Sequence, residues 1–271
     1  MDHRKGKKAM ILFICYLVTF FACTLGTICG MGGGIIIKPA LDATGVMSVS
    51  TITFLSGCTV IAMTCWSVGK SFAKKESVID LNNTVYLAIG AAVGGLAGKQ
   101  FYNMVASLFA DKNTAGGVQA CLLFAATFAT LIYTINKDRI VSKEIDSPIA
   151  KLLIGLMLGI LGSFLGIGGG PFNVAVLYYF FSMPAKKAAQ NSLFIILFSQ
   201  LLSIIKTIFS TGIPEFNPVI LVGMILLAVV GSETGRRLNK KIDNKTATLC
   251  LEGAMVLILC INVYNIVKFL G

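Results

Sequence analysis

The chain has 271 residues, of which 56% are hydrophobic and only 13% charged, and its mean hydropathy is +0.83. The charged share is about half that of an average soluble domain, which excludes a water-soluble globule and leaves the bilayer as the solvent. The formal charge of +11 does not point to nucleic acid: the cations fall in short clusters (Arg4 to Lys8, Lys74–Lys75, Lys137 to Lys151, Arg236 to Lys245) between apolar runs, with no basic face interleaved with aromatics.

The first predicted element is Ala9–Gly30, 22 uncharged residues after a basic start. A cleaved leader has similar flanks. The run is long enough to span and has a counterpart in mid-chain, so it reads as a retained span. A glycine run follows, then a short apolar segment at Ile35–Thr44. Longer segments come next at about Ser50–Phe72, Leu81–Gly98 and Thr114–Ile135. The second half repeats the series at Lys151–Gly166, Pro171–Met183, Pro184–Phe209, Pro218–Gly235 and Thr246–Val267. Leu152 to Ala185 carries no charge over 34 residues, whereas one straight helix needs about 20 to cross. That run is therefore a span, a turn at Gly166–Gly170 and a shorter piece opened by Pro171, which suits a first helical turn. Ser182–Met183–Pro184 and Asn217–Pro218 read as caps followed by helix starts.

Aligning residue n with n+136 from Leu25 to Phe72 gives 11 identities in 48 positions, among them Gly30/Gly166, Gly32/Gly168, Gly33/Gly169, Gly34/Gly170, Ser56/Ser192, Ser67/Ser203 and Lys70/Lys206. With a one-residue slip, Gly94 to Lys99 resembles Gly231 to Arg236, each a G-x-x-x-G followed by a cation. The expected fold class is an all-α polytopic membrane protein of two related halves, 1–140 and 141–271, with about eight transmembrane helices and two short glycine-broken segments. Such duplication is typical of secondary transporters. The loop cations favour different positions in the two halves, as inverted repeats would require, while the basic N-terminal tail favours an inside start. Inverted halves and parallel halves with re-entrant short segments both remain open at this level.

Glycines in membrane helices often serve packing, and that is the reading for Gly94, Gly98, Gly231 and Gly235. Three in a row break a helix instead. Gly30, Gly32, Gly33, Gly34 and Gly166, Gly168, Gly169, Gly170 are therefore expected to interrupt helices at membrane depth. This is tolerated only where the backbone is buried in protein or lines a wet cavity, and it leaves free N–H groups at a positive dipole end suited to an anion. Lys38, Ser56, Asn173, Gln190, Asn191 and Ser192 lie near these knots and are the candidate substrate-binding side chains. Lys38 and Asp42, four apart, are expected to pair near an interface. Lys70 and Lys206 read as snorkelling cations, and Glu233 as the helix-end partner of Arg236 and Arg237.

Neither knot is a nucleotide motif: Ile35 and Pro171 stand where G-x-G-x-x-G needs glycine, and Gln100 follows Gly98–Lys99 where a P-loop needs Ser or Thr. The eight cysteines form no C-x-x-C, and the one histidine is His3. No cofactor, metal or catalytic residue is expected, and the chain does not read as an enzyme.

Gly26-Thr-Ile-Cys-Gly-Met-Gly-Gly-Gly34 and Gly162-Ser-Phe-Leu-Gly-Ile-Gly-Gly-Gly170 resemble the duplicated glycine motif of the TauE/SafE sulfite exporter family, also called the toluene sulfonate uptake permease family. Ala188-Ala-Gln-Asn-Ser-Leu193 resembles the motif opening its next helix, which Thr51-Ile-Thr-Phe-Leu-Ser-Gly57 replaces in the first half. The resemblance implies a multi-pass plasma-membrane transporter without a cofactor, with sulfite, sulfonates or other organosulfur anions as substrates. The expected partners are a small anion and the lipid bilayer. A passive anion channel of the same architecture is the alternative.

Overall fold

The computed structural model describes residues 2–107, 112–210 and 212–270. Ten α-helices follow in order among the described residues: α1 (Asp2–Cys29), α2 (Gly34–Thr44), α3 (Val49–Ala73), α4 (Leu81–Ser107), α5 (Lys112–Asn136), α6 (Pro148–Phe164), α7 (Pro171–Phe181), α8 (Ala185–Ser210), α9 (Pro218–Lys241) and α10 (Asn244–Leu270), with one 3₁₀ turn at Lys137–Arg139. Six of them (α1, α3, α5, α8, α9 and α10) are long and apolar enough to cross a membrane. With α4 at 27 residues and α6 at 17, the eight expected long helices are present. The 11-residue α2 and α7 span only about 16 Å each at 1.5 Å per residue.

The expected boundaries shift in two ways. The helices α1, α4 and α9 run past the charges that end their apolar stretches, because Lys, Arg and Gln are good helix formers once outside the hydrocarbon. Ser182 does not cap α8 as expected. It terminates α7 in the left-handed conformation (φ +48°), and its hydroxyl shares a 2.7 Å hydrogen bond with Ser142. Asn217 does cap α9, its Oδ1 accepting from the Val219 N–H at 3.0 Å.

Contacts between named residues fix the helix directions. The helices α1 and α9 are parallel: Tyr16 donates to the Val219 carbonyl near one end, and Asn239 donates to the Ile28 carbonyl near the other. The helix α3 runs with them, Thr51 donating to the Glu215 carbonyl and Trp66 to Glu233. The helices α4, α6 and α8 share the other direction. Gly90 and Gly98 lie on Leu152 and Ile160, Thr84 bonds Asn191, and Lys206 bonds Gln100. Between the two sets, α3 and α8 are antiparallel, since Gly57 meets Gln200 and Ile204 while Ser71 donates to Gln190. The first helices of the two halves, α1 and α6, therefore point in opposite directions, and both α1 and α10 have their chain-terminal ends at the same face. Adding or subtracting five from the helix numbers also exchanges packing partners: α1 on α9 becomes α6 on α4, α3 on α9 becomes α8 on α4, and α2 on α10 becomes α7 on α5.

Helix contacts in lipid gain little from hydrophobicity and depend on close backbone approach. The helices α4 and α6 approach through glycines on both sides. A Cβ on Gly94 would stand 2.1 Å from the Leu156 carbonyl oxygen, and one on Gly159 would stand 2.1 Å from that of Ala91. The α1–α9 contact repeats the device: Gly231 packs on Phe20 and Gly235 on Thr24, where a Cβ would come within 2.4 Å of the carbonyl oxygen. Both G-x-x-x-G pairs thus serve packing, as their sequence suggests.

Candidate functional site

Each glycine run breaks its helix as expected. Gly30 and Gly32 adopt φ +74° and +70°, and Gly166, Gly168 and Gly169 adopt +71°, +71° and +134°. In this region a side chain is strained. The turns fold back on the preceding helices, so Gly26 faces Gly32–Gly33 and Gly162 faces Gly168–Gly169. The knots also meet each other at the centre: Gly34 packs on the Ile167 carbonyl and Gly170 on Ile35. The close approach leaves no room for a side chain at either place.

The helices that follow start with unpaired donors. The N–H groups of Gly34 and Ile35, and of Gly170 and Phe172, have no acceptor among the described residues, whereas Gly33 donates to the Met63 sulfur at 3.1 Å. Beside them lie buried side-chain oxygens that also lack partners. Ser56 Oγ stands next to Gly34, Asn173 lies against Gly169, and Ser192 has the same unpartnered, fully buried hydroxyl. Buried polar groups are normally satisfied, so this cluster of donors and acceptors is a candidate for a polar ligand.

Two cavities lie at opposite ends of the antiparallel α3/α8 pair. The first, about 30 Å³, is lined by Thr27, Ser67, Ser71, Gln190, Arg236 and Glu76 among others. The second, about 20 Å³, includes Ser163, Ser203, Thr207, Thr53, Lys99 and Gln200 in its lining. They correspond through the sequence repeat: Thr27/Ser163, Ser67/Ser203 and Ser71/Thr207 are 136 residues apart, and Lys99/Arg236 are 137 apart. Three hydroxyls and one cation of each vestibule thus stand at matching sequence positions, with Lys240 added in the first and Ser50 and Thr53 in the second. Along α3 they are separated by the 17 residues between Ser50 and Ser67, about 26 Å of helix.

Their electrostatics differ. Arg236 pairs with Glu233 at 3.0 Å and with Glu76 at 3.3 Å, carboxylates that also pair with Arg237 and Lys240. Glu76 lies in the α3–α4 connection, where a hydrogen bond from Lys240 holds its carboxyl below the ordinary range. Lys99 has no carboxylate partner among the described residues and lies over the Tyr102 ring at 5.6 Å.

The remaining candidates fall in different surroundings. Lys38 pairs with Asp42 at 2.9 Å as expected, and the pair is buried within the protein. Asp42 is the only fully buried carboxylate among the described residues. The pair lines a cavity of about 10 Å³ with Gln119, Asn262 and Asn265, and the stem of Lys38 lies against Gly166. Gln190 lines the first vestibule, accepting from Ser71 and from the Val78 N–H. Asn191 is occupied elsewhere: it accepts from the Asp80 N–H and Thr84 and donates to Lys187 and Val78, pinning the α3–α4 connection. Lys206 ties α8 to α4 through Gln100, and Lys70 stacks over Trp66.

Sequence reasoning passed over Thr27, Ser163, Ser71, Thr207, Lys99 and Arg236 as vestibule residues. The signal was present in the sequence, where the hydroxyls recur 136 residues apart and the cations 137 apart, although each is bland by itself.

The TauE model, described as sulfite exporter TauE/SafE, matches residues 15–263. The chain is 25% identical over 282 aligned residues to "Probable membrane transporter protein YunE" of Bacillus subtilis (strain 168), covering 94% of this chain and 98% of that protein. It is 27% identical over 177 residues to a "Probable membrane transporter protein" of Haemophilus influenzae, covering 61% of this chain and 62% of that one. No solved structure matches. The family match, the helices able to cross a bilayer and the repeated glycine turns lead to one assignment: the chain is a multi-pass membrane protein of the TauE/SafE sulfite exporter family.

Proposed function

We propose that the chain is a secondary transporter that carries a small anion, such as sulfite, a sulfonate or another organosulfur anion, across the plasma membrane by alternating access. The two halves are copies of one unit placed in opposite orientations. Exchanging their conformations closes one vestibule and opens the other. The observation that carries this reading is the pair of matching polar vestibules at opposite ends of α3/α8, with the two glycine knots packed between them. Ile35, Val60, Ile167 and Ile196 are fully buried at this centre. That packing favours an alternating gate over a passive channel.

In the transport cycle the unpaired N–H groups at the starts of α2 and α7 offer dipole ends to the anion. Ser56, Asn173 and Ser192 add hydroxyl and amide groups that otherwise have no partner. The knots act as hinges, because glycines with positive φ let the short helices shift without breaking the long ones. Uptake of labelled sulfite, thiosulfate and a simple sulfonate by proteoliposomes, with and without a pH gradient, tests the proposal. Saturable flux supports it. Flux that rises linearly with concentration and ignores gradients points to a channel.

A further inference from the structure

The two vestibules have equivalent cations in unequal settings. Arg236 already has its counter-charges in Glu233 and Glu76, so an arriving anion would compete with two carboxylates. Lys99 has none: no Asp or Glu lines its cavity. An ammonium partly withdrawn from water without a counter-ion is costly, and pairing with an anion offsets that cost.

Its position is also fixed. Gly98 packs on the backbone of Ile160, where a Cβ would fall 2.3 Å from the carbonyl oxygen, so the next residue leaves α4 from a pinned point. Neutral donors complete the cavity. Ser163 Oγ is buried and has no partner, and Ser163 is only 4% exposed. The amide of Gln200, 5% exposed, lies against Gly168 of the second knot. Lys38, whose stem lies against Gly166 behind this cavity, is itself paired with Asp42.

We infer that the Lys99 vestibule is a binding station for a small oxyanion, held by the Lys99 ammonium and by hydroxyl and amide donors from Ser163 and Gln200. The inference rests on the transporter reading above and names where its substrate enters or leaves. In the conformation described, the cation of the Arg236 vestibule is paired with carboxylates and that of the Lys99 vestibule is not.

The test is binding by the full-length purified chain, with sulfite, thiosulfate and methanesulfonate as probes and thermal protection as the readout. Lys99→Gln is compared with Lys99→Arg and Lys206→Gln. The last removes a cation from the same end of the protein but outside this cavity. Affinity for the protecting anion should fall about tenfold or more in Lys99→Gln, the loss expected for one charge-assisted contact, recover in Lys99→Arg and stay unchanged in Lys206→Gln. Equal affinity in Lys99→Gln and wild type, with the variant's unliganded melting temperature intact, overturns the station. If wild-type proteoliposomes still carry the anion in that case, the transporter reading survives without it. If none of the three probes protects wild type, the station is overturned, and absent flux then removes the transporter reading separately.

Discussion

Replacing Gly94 by Ala adds one methyl group where none fits. The new Cβ would stand 2.1 Å from the Leu156 carbonyl oxygen and 2.9 Å from the carbonyl carbon. Ordinary contact begins near 3.4 Å, so α4 and α6 must separate by more than 1 Å at this point. The neighbour is backbone, not a side chain that can rotate away. Separation at Gly94 also loosens the contacts at Gly90, Gly98, Gly155 and Gly159 that share the interface. Overpacking of this kind costs about 1–3 kcal/mol, enough to lower the melting temperature by several degrees. Gly235→Ala, whose Cβ would meet the Thr24 carbonyl at 2.4 Å, should behave alike. Gly253→Ala is the control: it lies within α10 with nothing within 4 Å of the added carbon, and it should gain up to about 1 kcal/mol from helix propensity. Thermal unfolding of the purified chain in detergent measures all three. A Gly94→Ala protein as stable as Gly253→Ala would refute the account of the interface.

Three further outcomes follow from the buried charges, the α3–α4 connection and the helix directions. Lys38→Met leaves Asp42 buried without its partner and should cost about 3–5 kcal/mol, while Lys38→Met/Asp42→Leu should recover most of that; equal melting temperatures for the single and double variants would deny the pair its role. Asn191→Ala removes its bonds to Val78, Asp80 and Thr84, while Gln190 and Lys187 still hold Val78 and Asp80, so it should lower stability by about 1–3 kcal/mol and speed amide exchange at residues 78–84 ahead of the rest of the chain. Reporter fusions at the two chain ends should read the same side of the membrane. That side should be opposite a reporter inserted in the α5–α6 connection, which shares a face with Lys74, Lys75, Lys186 and Lys187 and is expected to be cytoplasmic.

Much of the fold was legible because glycine runs and uncharged run lengths are strong signals. Three consecutive glycines do not continue a helix, and 34 uncharged residues do not make one span, so the breaks at Gly30–Gly34 and Gly166–Gly170 could be placed to the residue. Helix ends were less legible. Apolarity stops at the bilayer edge, but the hydrogen-bonded backbone of α4 continues to Ser107. Ser182 has the composition of a cap for either neighbour, and only the conformation shows which helix it ends. In the candidate site, Gln190 and Asn191 look equally functional in sequence. One faces a vestibule, and the other is consumed by a neighbouring connection, because adjacent residues on a helix point about 100° apart. Lys99 and Arg236 were read only as the end of a packing motif. Their likeness appears only when each is found lining a cavity at its own end of α3/α8.

The central claim is that opposed halves carry an anion between two vestibules through the glycine knots. Flux of labelled sulfite, thiosulfate and a simple sulfonate into proteoliposomes tests it most directly, with Gly169→Leu beside wild type. Gly169 sits at φ +134° with Ile196 2.6 Å from the position of a Cβ, so leucine there jams the second knot. The account predicts saturable, gradient-sensitive flux of at least one of these anions in wild type and its loss in a folded Gly169→Leu. Absence of flux of all three from folded wild type, or flux undiminished in Gly169→Leu, would contradict it.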